Sequence, residues 1–168
     1  LEKIAARLEG GSRGSLVLVG PVNVTSRDAT ERIARLRSSP GVIFTGQRDA
    51  AEVPAFLRAF DVGLIPYRAG DQARSIDPLK LYEYLAFGKP VVAVDIPSVR
   101  PFRELVHIAR DREEYLRLLD VAAADQDEAL AARRRAIARD NSWEHRARQI
   151  SDAVEAVLRA RGKTAPAS

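Results

Sequence analysis

Asp77 to Pro97, DPLKLYEYLAFGKPVVAVDIP, sets a helical pattern directly against a strand pattern, and that junction decides the fold class. Asp77 is a candidate N-cap. Pro78 suits the first helical position because it lacks the amide that would be orphaned there, and Gly88 can close the far end. A helix over about 78–87 is expected. Leu81, Tyr82 and Leu85 can turn toward a sheet, while Lys80, Glu83 and Tyr84, three and four apart, share another side. Val91 to Asp95 reads VVAVD, too apolar and β-branched to leave a face in water, as expected for a central strand of a parallel sheet. Such sheets take ligands at the carboxyl ends of their strands.

Outward from this junction, strand and helix patterns alternate. An apolar stripe at Leu1, Ile4, Ala5 and Leu8 reads as part of a helix, and Leu16 to Gly20 as the first clear strand. A helix opened by Ser26 or Asp28 and ending near Ser39, a strand over 42–46, a helix over 49–60 and a strand over 62–67 follow. The buried face of the 49–60 helix should carry Val53, Phe56, Leu57 and Phe60. Beyond Asp95, a short strand at 106–109 precedes helices over 111–123 and 125–139. Asn141 and Glu144 form a capping pair for a last helix whose Trp143, Ala147, Ile150, Val154 and Val157 fall near one face, with Trp143 assigned to core or interdomain packing. Alternation of this kind yields a Rossmann-like parallel sheet flanked by helices on both faces.

A cation in the first turn of a helix opposes the dipole, but Lys80 is well placed if a phosphate sits at the helix start and meets the free amides. The competing reading is a solvated Lys80–Glu83 surface pair worth about 0.3 kcal/mol. The connection from Pro66 to Asp77 is long for a parallel sheet, and Arg27, Arg48, Arg68, Arg74 and Arg100 follow successive strands, where guanidinium groups can converge on a diphosphate. Arginine is frequent enough in this chain that loop arginines also arise without any such role.

The segment PLKLYEYLAFGKPVVA resembles the signature of the carboxyl-terminal domain of GT-B fold glycosyltransferases, close to the group 1 (GT4-like) enzymes. LVLVGP from Leu16, VIFTGQ from Val42 and FDVGLIPY from Phe60 follow in the order and approximate spacing of that domain, and SWEHRARQI from Ser142 resembles its closing helix. The resemblance implies the donor half of a GT-B enzyme lacking its first strand, with 1–161 as the nucleotide-sugar-binding domain and 162–168 as a flexible tail. It implies that Glu83 holds the ribose hydroxyls of a nucleotide sugar, that Lys80, with Pro78 and Leu79 at the helix start, lies at the diphosphate, and that Gln47 and Arg48 meet the nucleobase. The family places a further acid eight residues before Glu83. This chain has Ser75 there, so either the sugar-facing contact is made differently, by the backbone of the loop from Arg68 to Ile76, or the sugar differs from that of the commoner group 1 donors.

The implied activity is transfer of a sugar from a UDP- or GDP-sugar to an acceptor held by an amino-terminal domain, with no metal and no separate cofactor, in polysaccharide biosynthesis. A nucleotide-sugar epimerase of the same architecture is the alternative within enzymes. It would want histidines and acids that this sequence lacks. A non-enzymatic α/β interaction domain is the third reading. The expected setting is cytoplasmic, with peripheral contact at the inner face of a membrane open through a membrane-surface acceptor.

Composition bounds these readings. The chain has 168 residues, no cysteine and no methionine, so it can build one sizeable core but no disulfide or thiolate metal site. The helical stripe at Leu1 and the lack of methionine lead to the expectation of a carboxyl-terminal fragment. No apolar run approaches the roughly 20 residues needed to cross a bilayer. The net charge of +4 comes from arginines interleaved with acids along helices, and the dense run Arg133 to Arg135 has no aromatic residues among it, so no nucleic-acid partner is expected. GGSRG near Gly10 precedes a strand where a dinucleotide fingerprint follows one. His107 and His145 are too isolated for a metal pair, and no serine sits in a nucleophile elbow.

Overall fold

The computed structural model describes residues 1–11, 14–67 and 76–160. The expectations for Arg68, Arg74, Ser75 and the tail at 162–168 lie outside the described residues. Among the described residues, the elements in chain order are α1 (Glu2–Glu9), β1 (Leu16–Val19), α2 (Arg27–Ser38), β2 (Val42–Gly46), α3 (Val53–Ala59), β3 (Gly63–Ile65), α4 (Leu79–Ala86), β4 (Val91–Val94), a 3-10 turn (Arg100–Phe102), β5 (His107–Ala109), α5 (Arg112–Ala123), α6 (Glu128–Asp140) and α7 (Trp143–Ala160). All strand pairs within the sheets are parallel. They form two sheets, a β1–β2 pair and a β3–β4–β5 trio, and among the described residues no ladder joins β1 to β3.

Strand β4 is apolar on both sides, as VVAVD requires, and its alternation builds two cores. Val91 and Ala93 pack with Ile65 and with Leu81 and Leu85 of α4, joined by Leu130 and Ile137 of α6. Val92 packs on the other face with Ala109 and with Tyr115 and Ala122 of α5, joined by Ile4 of α1. Helix α1 bridges both sheets, since Glu2 pairs with Arg35 of α2 at 3.0 Å and Arg7 pairs with Asp120 of α5 at 2.9 Å. Arg134 is the one buried charged side chain among the described residues, 2% exposed. Its guanidinium bonds Asp125 at 2.6 Å and donates to the carbonyls of Leu105 and Gly88, fastening α6 to the approach to β5 and the end of α4.

Several boundaries differ from expectation for local reasons. Helix α3 starts at Val53 and not near Asp49, because Pro54 excludes the carbonyl one turn earlier; Glu52 instead accepts the Asp49 amide at 3.0 Å. Helix α6 starts after Asp127, whose carboxylate accepts the Ala129 and Leu130 amides, while Asp125 is taken by Arg134. The last helix is opened by Ser142, whose hydroxyl accepts the His145 amide at 3.2 Å; Asn141 donates back to Ile137 at the end of α6. Of the two places expected for Trp143, the core is not the one it takes: it is 75% exposed, and Ile150, Val154 and Val157 are exposed on the same helix.

Candidate functional site

Helix α4 begins at Leu79 with Pro78 as its N-cap, and no side chain bonds its first amides. The expected cap at Asp77 does not form. The Asp77 carboxylate lies 3.5 Å from the Tyr82 hydroxyl and 3.7 Å from the Arg146 guanidinium of α7. Arg146 also donates to the Tyr82 hydroxyl at 2.9 Å, and its guanidinium carbon stands 5.0 Å from the center of that ring. Tyr82 therefore does not face the sheet as expected. Burial and the nearby Asp77 push its hydroxyl up, against the opposing pull of Arg146. The segment before α4 is held from the other side as well, because Ser98 donates to the Ile76 carbonyl at 2.6 Å.

Tyr84 takes the sheet-facing place. A Cβ added to Gly63 would lie 2.4 Å from its ring, so β3 and α4 approach this closely only because position 63 has no side chain. Burial pushes the Tyr84 hydroxyl up, opposed by a hydrogen bond from the Leu64 backbone. At the far end, Gly88 adopts φ 70° and the Lys89 amide returns to the Tyr84 carbonyl at 3.0 Å, closing α4 as its sequence indicates.

On the outer side of α4, Lys80 and Glu83 meet at 2.7 Å, with 59% and 39% of their side chains exposed. Leu79 and Lys80 are exposed beside the uncapped amides, and Pro78 is buried beneath them. Gln47 and Arg48 follow the carboxyl end of β2; Arg48 lies 3.9 Å from Glu52 and over the Phe56 ring at 5.9 Å. Among the described residues no hydrogen bond or ion pair links the Gln47–Arg48 loop to α4. The structure thus brings Pro78, Leu79, Lys80 and Glu83 together, and leaves Gln47 and Arg48 on a separate loop. Of the loop arginines, Arg27 pairs with Glu31 at 3.0 Å and Arg100 with Asp95 at 2.7 Å, each satisfied by its own neighbourhood.

The sequence reading missed Arg146 and Ser98, which hold the segment before α4. The 64-residue separation between Arg146 and Tyr82 leaves no spacing signal that could have paired them. Among the described residues, no cluster of three or more histidine, cysteine or acidic side chains is placed to hold a metal ion. Chemically, free helix amides with an ammonium suit an anion, and a carboxylate one turn away can accept two hydrogen bonds from a vicinal diol.

The family model described as "Glycosyl transferases group 1" matches residues 1–140. A Bacillus subtilis (strain 168) protein, provisionally named a teichuronic acid biosynthesis glycosyltransferase, TuaH, is 33% identical over 137 residues. The match covers 79% of this chain and 34% of that protein, so the chain spans about a third of the relative's length.

Proposed function

The chain belongs to the group 1 glycosyl transferases, and from that premise we propose that it forms the donor-binding half of an enzyme that transfers a sugar from a UDP- or GDP-sugar. The observation that carries this reading is the uncapped start of α4 with Lys80 and Glu83 on its first turns. The α4 amides and the Lys80 ammonium would hold the diphosphate and offset the charge it gains as the bond to the sugar's anomeric carbon breaks and that electron pair passes to the phosphate oxygen. Glu83 would release Lys80 and take the ribose hydroxyls. Gln47 and Arg48 would meet the base, and Ser75 would stand where a donor-sugar contact is made.

The acceptor would be held by an amino-terminal domain elsewhere in the polypeptide, and the split sheet supports the proposal that residues 1–161 lack one strand of this domain. The path β1–α2–β2 fixes the face on which a right-handed crossover in that direction lies. A strand between β1 and β3, followed by α1, would move in the same direction and so place α1 beside α2. The Glu2–Arg35 pair has them in contact. The relative is named for teichuronic acid biosynthesis, which supports polysaccharide biosynthesis as the setting, carried out by a cytoplasmic enzyme working at the inner face of a membrane. Among the described residues no helix is long and apolar enough to cross one.

Calorimetry with UDP, GDP and their sugars tests the reading on the full-length polypeptide. Glu83→Ala is expected to weaken nucleotide binding by more than the roughly 0.5 kcal/mol of an exposed pair. Unchanged affinity would return the Lys80–Glu83 contact to a surface pair on an α/β interaction domain. Free epimerised sugar in place of a glycosylated acceptor would identify the epimerase chemistry.

A further inference from the structure

Asp77 is one residue too early to serve as the observed N-cap, yet its carboxylate is the nearest acid in sequence to the open amides of α4. A free aspartate at such a place gravitates to the helix start, where it accepts an amide hydrogen bond and is favoured by the dipole. Here it is drawn aside. Arg146, on the first turns of α7, stands 3.7 Å from the carboxylate and is itself held by the Tyr82 hydroxyl at 2.9 Å and the Asn141 side-chain carbonyl at 3.4 Å. Tyr82 is braced in turn by the edge of the Phe102 ring, with centroids 5.8 Å apart and planes at 88°. Three separate parts of the chain therefore converge to fix one guanidinium.

We propose that Arg146 is a positioning residue for the donor site: with Tyr82 it withdraws the Asp77 carboxylate from the start of α4, so that a diphosphate meets amides with no acid competing for them. The inference rests on the donor reading above and adds a residue from α7 to it. A carboxylate capping α4 would occupy the same donors as the phosphate and repel its charge. Arg146 removes both obstacles without touching the ligand.

A double-mutant cycle on the full-length polypeptide separates this role from simple electrostatic attraction or general support. UDP and GDP affinities are measured by calorimetry for the wild type, Arg146→Ala, Asp77→Ala and the double variant. Loss of Arg146 is expected to weaken the preferred nucleotide about fivefold, the size of a helix-cap interaction. Adding Asp77→Ala to that background should restore affinity to within about twofold of Asp77→Ala alone. Tyr82→Phe, which keeps the ring, should give a smaller loss in the same direction. A double variant as weak as Arg146→Ala would overturn the inference, because Arg146 would then act through its own charge or through the fold. Silence of Arg146→Ala while Lys80→Ala weakens binding would overturn it and leave the donor site standing. A wild type that binds neither nucleotide, or a nucleotide indifferent to Lys80 and Glu83, would remove both.

Discussion

At the scale of single residues, Gly63 shows how an absent side chain sets a distance. The Tyr84 ring occupies the space that any Cβ at 63 would need, with its nearest ring atom 2.4 Å from that position. Gly63→Ala is expected to destabilise the fold by about 1–3 kcal/mol, the usual cost of overpacking. Urea unfolding checks this. In a Tyr84→Ala background the same substitution should cost clearly less, because the obstructing ring is gone. The sequence marks Gly63 only as a glycine within an apolar strand, and it groups Tyr84 with Lys80 and Glu83. Which tyrosine of LYEY faces the sheet depends on the shape of β3, which residue spacing does not contain.

Among elements, α6 is joined to the rest of the fold by Arg134 and its partners, and this makes stability depend on pH. Burial raises the Asp125 carboxyl, but the Arg134 hydrogen bond, the Asp127 amide and the charges of Arg134 and His107 outweigh it and hold the group below its usual value. His107 is pushed below 6.5 by burial and then by Arg134, and its Nε2 is buried without a partner. Both shifts mean that the unfolded chain takes up protons first as pH falls. Stability is therefore expected to decline in two stages, below about 6.5 as the unfolded-state histidine titrates and again below about 4 as the unfolded-state aspartate does. Urea midpoints measured from neutral to acid pH read both stages, and His107→Gln should erase the first. Arg134→Met, which strands Asp125 and two carbonyls, should cost about 3 kcal/mol at neutral pH.

For the whole molecule, the decisive feature is a parallel arrangement that, among the described residues, is interrupted between β1 and β3. The Leu16 amide bonds the Gly41 carbonyl at 2.8 Å and the Gly20 amide bonds the Gly46 carbonyl at 3.0 Å, so by alternation Val17 and Val19 turn their amides away from β2. Hydrogen exchange on the 168-residue chain is expected to be about tenfold or more faster at Val17 and Val19 than at Leu16 and Gly20. Equal protection would mean that another backbone already covers this edge.

The order of elements, the apolar center at β4, the closure of α4 by Gly88 and the membership of the glycosyltransferase family were all legible in the linear chain. Periodicity and turn chemistry are local, and a buried parallel strand imposes its apolar run whatever surrounds it. Only the folded molecule decided that Asp77 turns to Arg146 and leaves α4 uncapped, and that Tyr84 and not Tyr82 meets β3. Each of these outcomes is a competition among partners far apart in sequence, and its winner depends on distances that the packing of helices against the sheets creates.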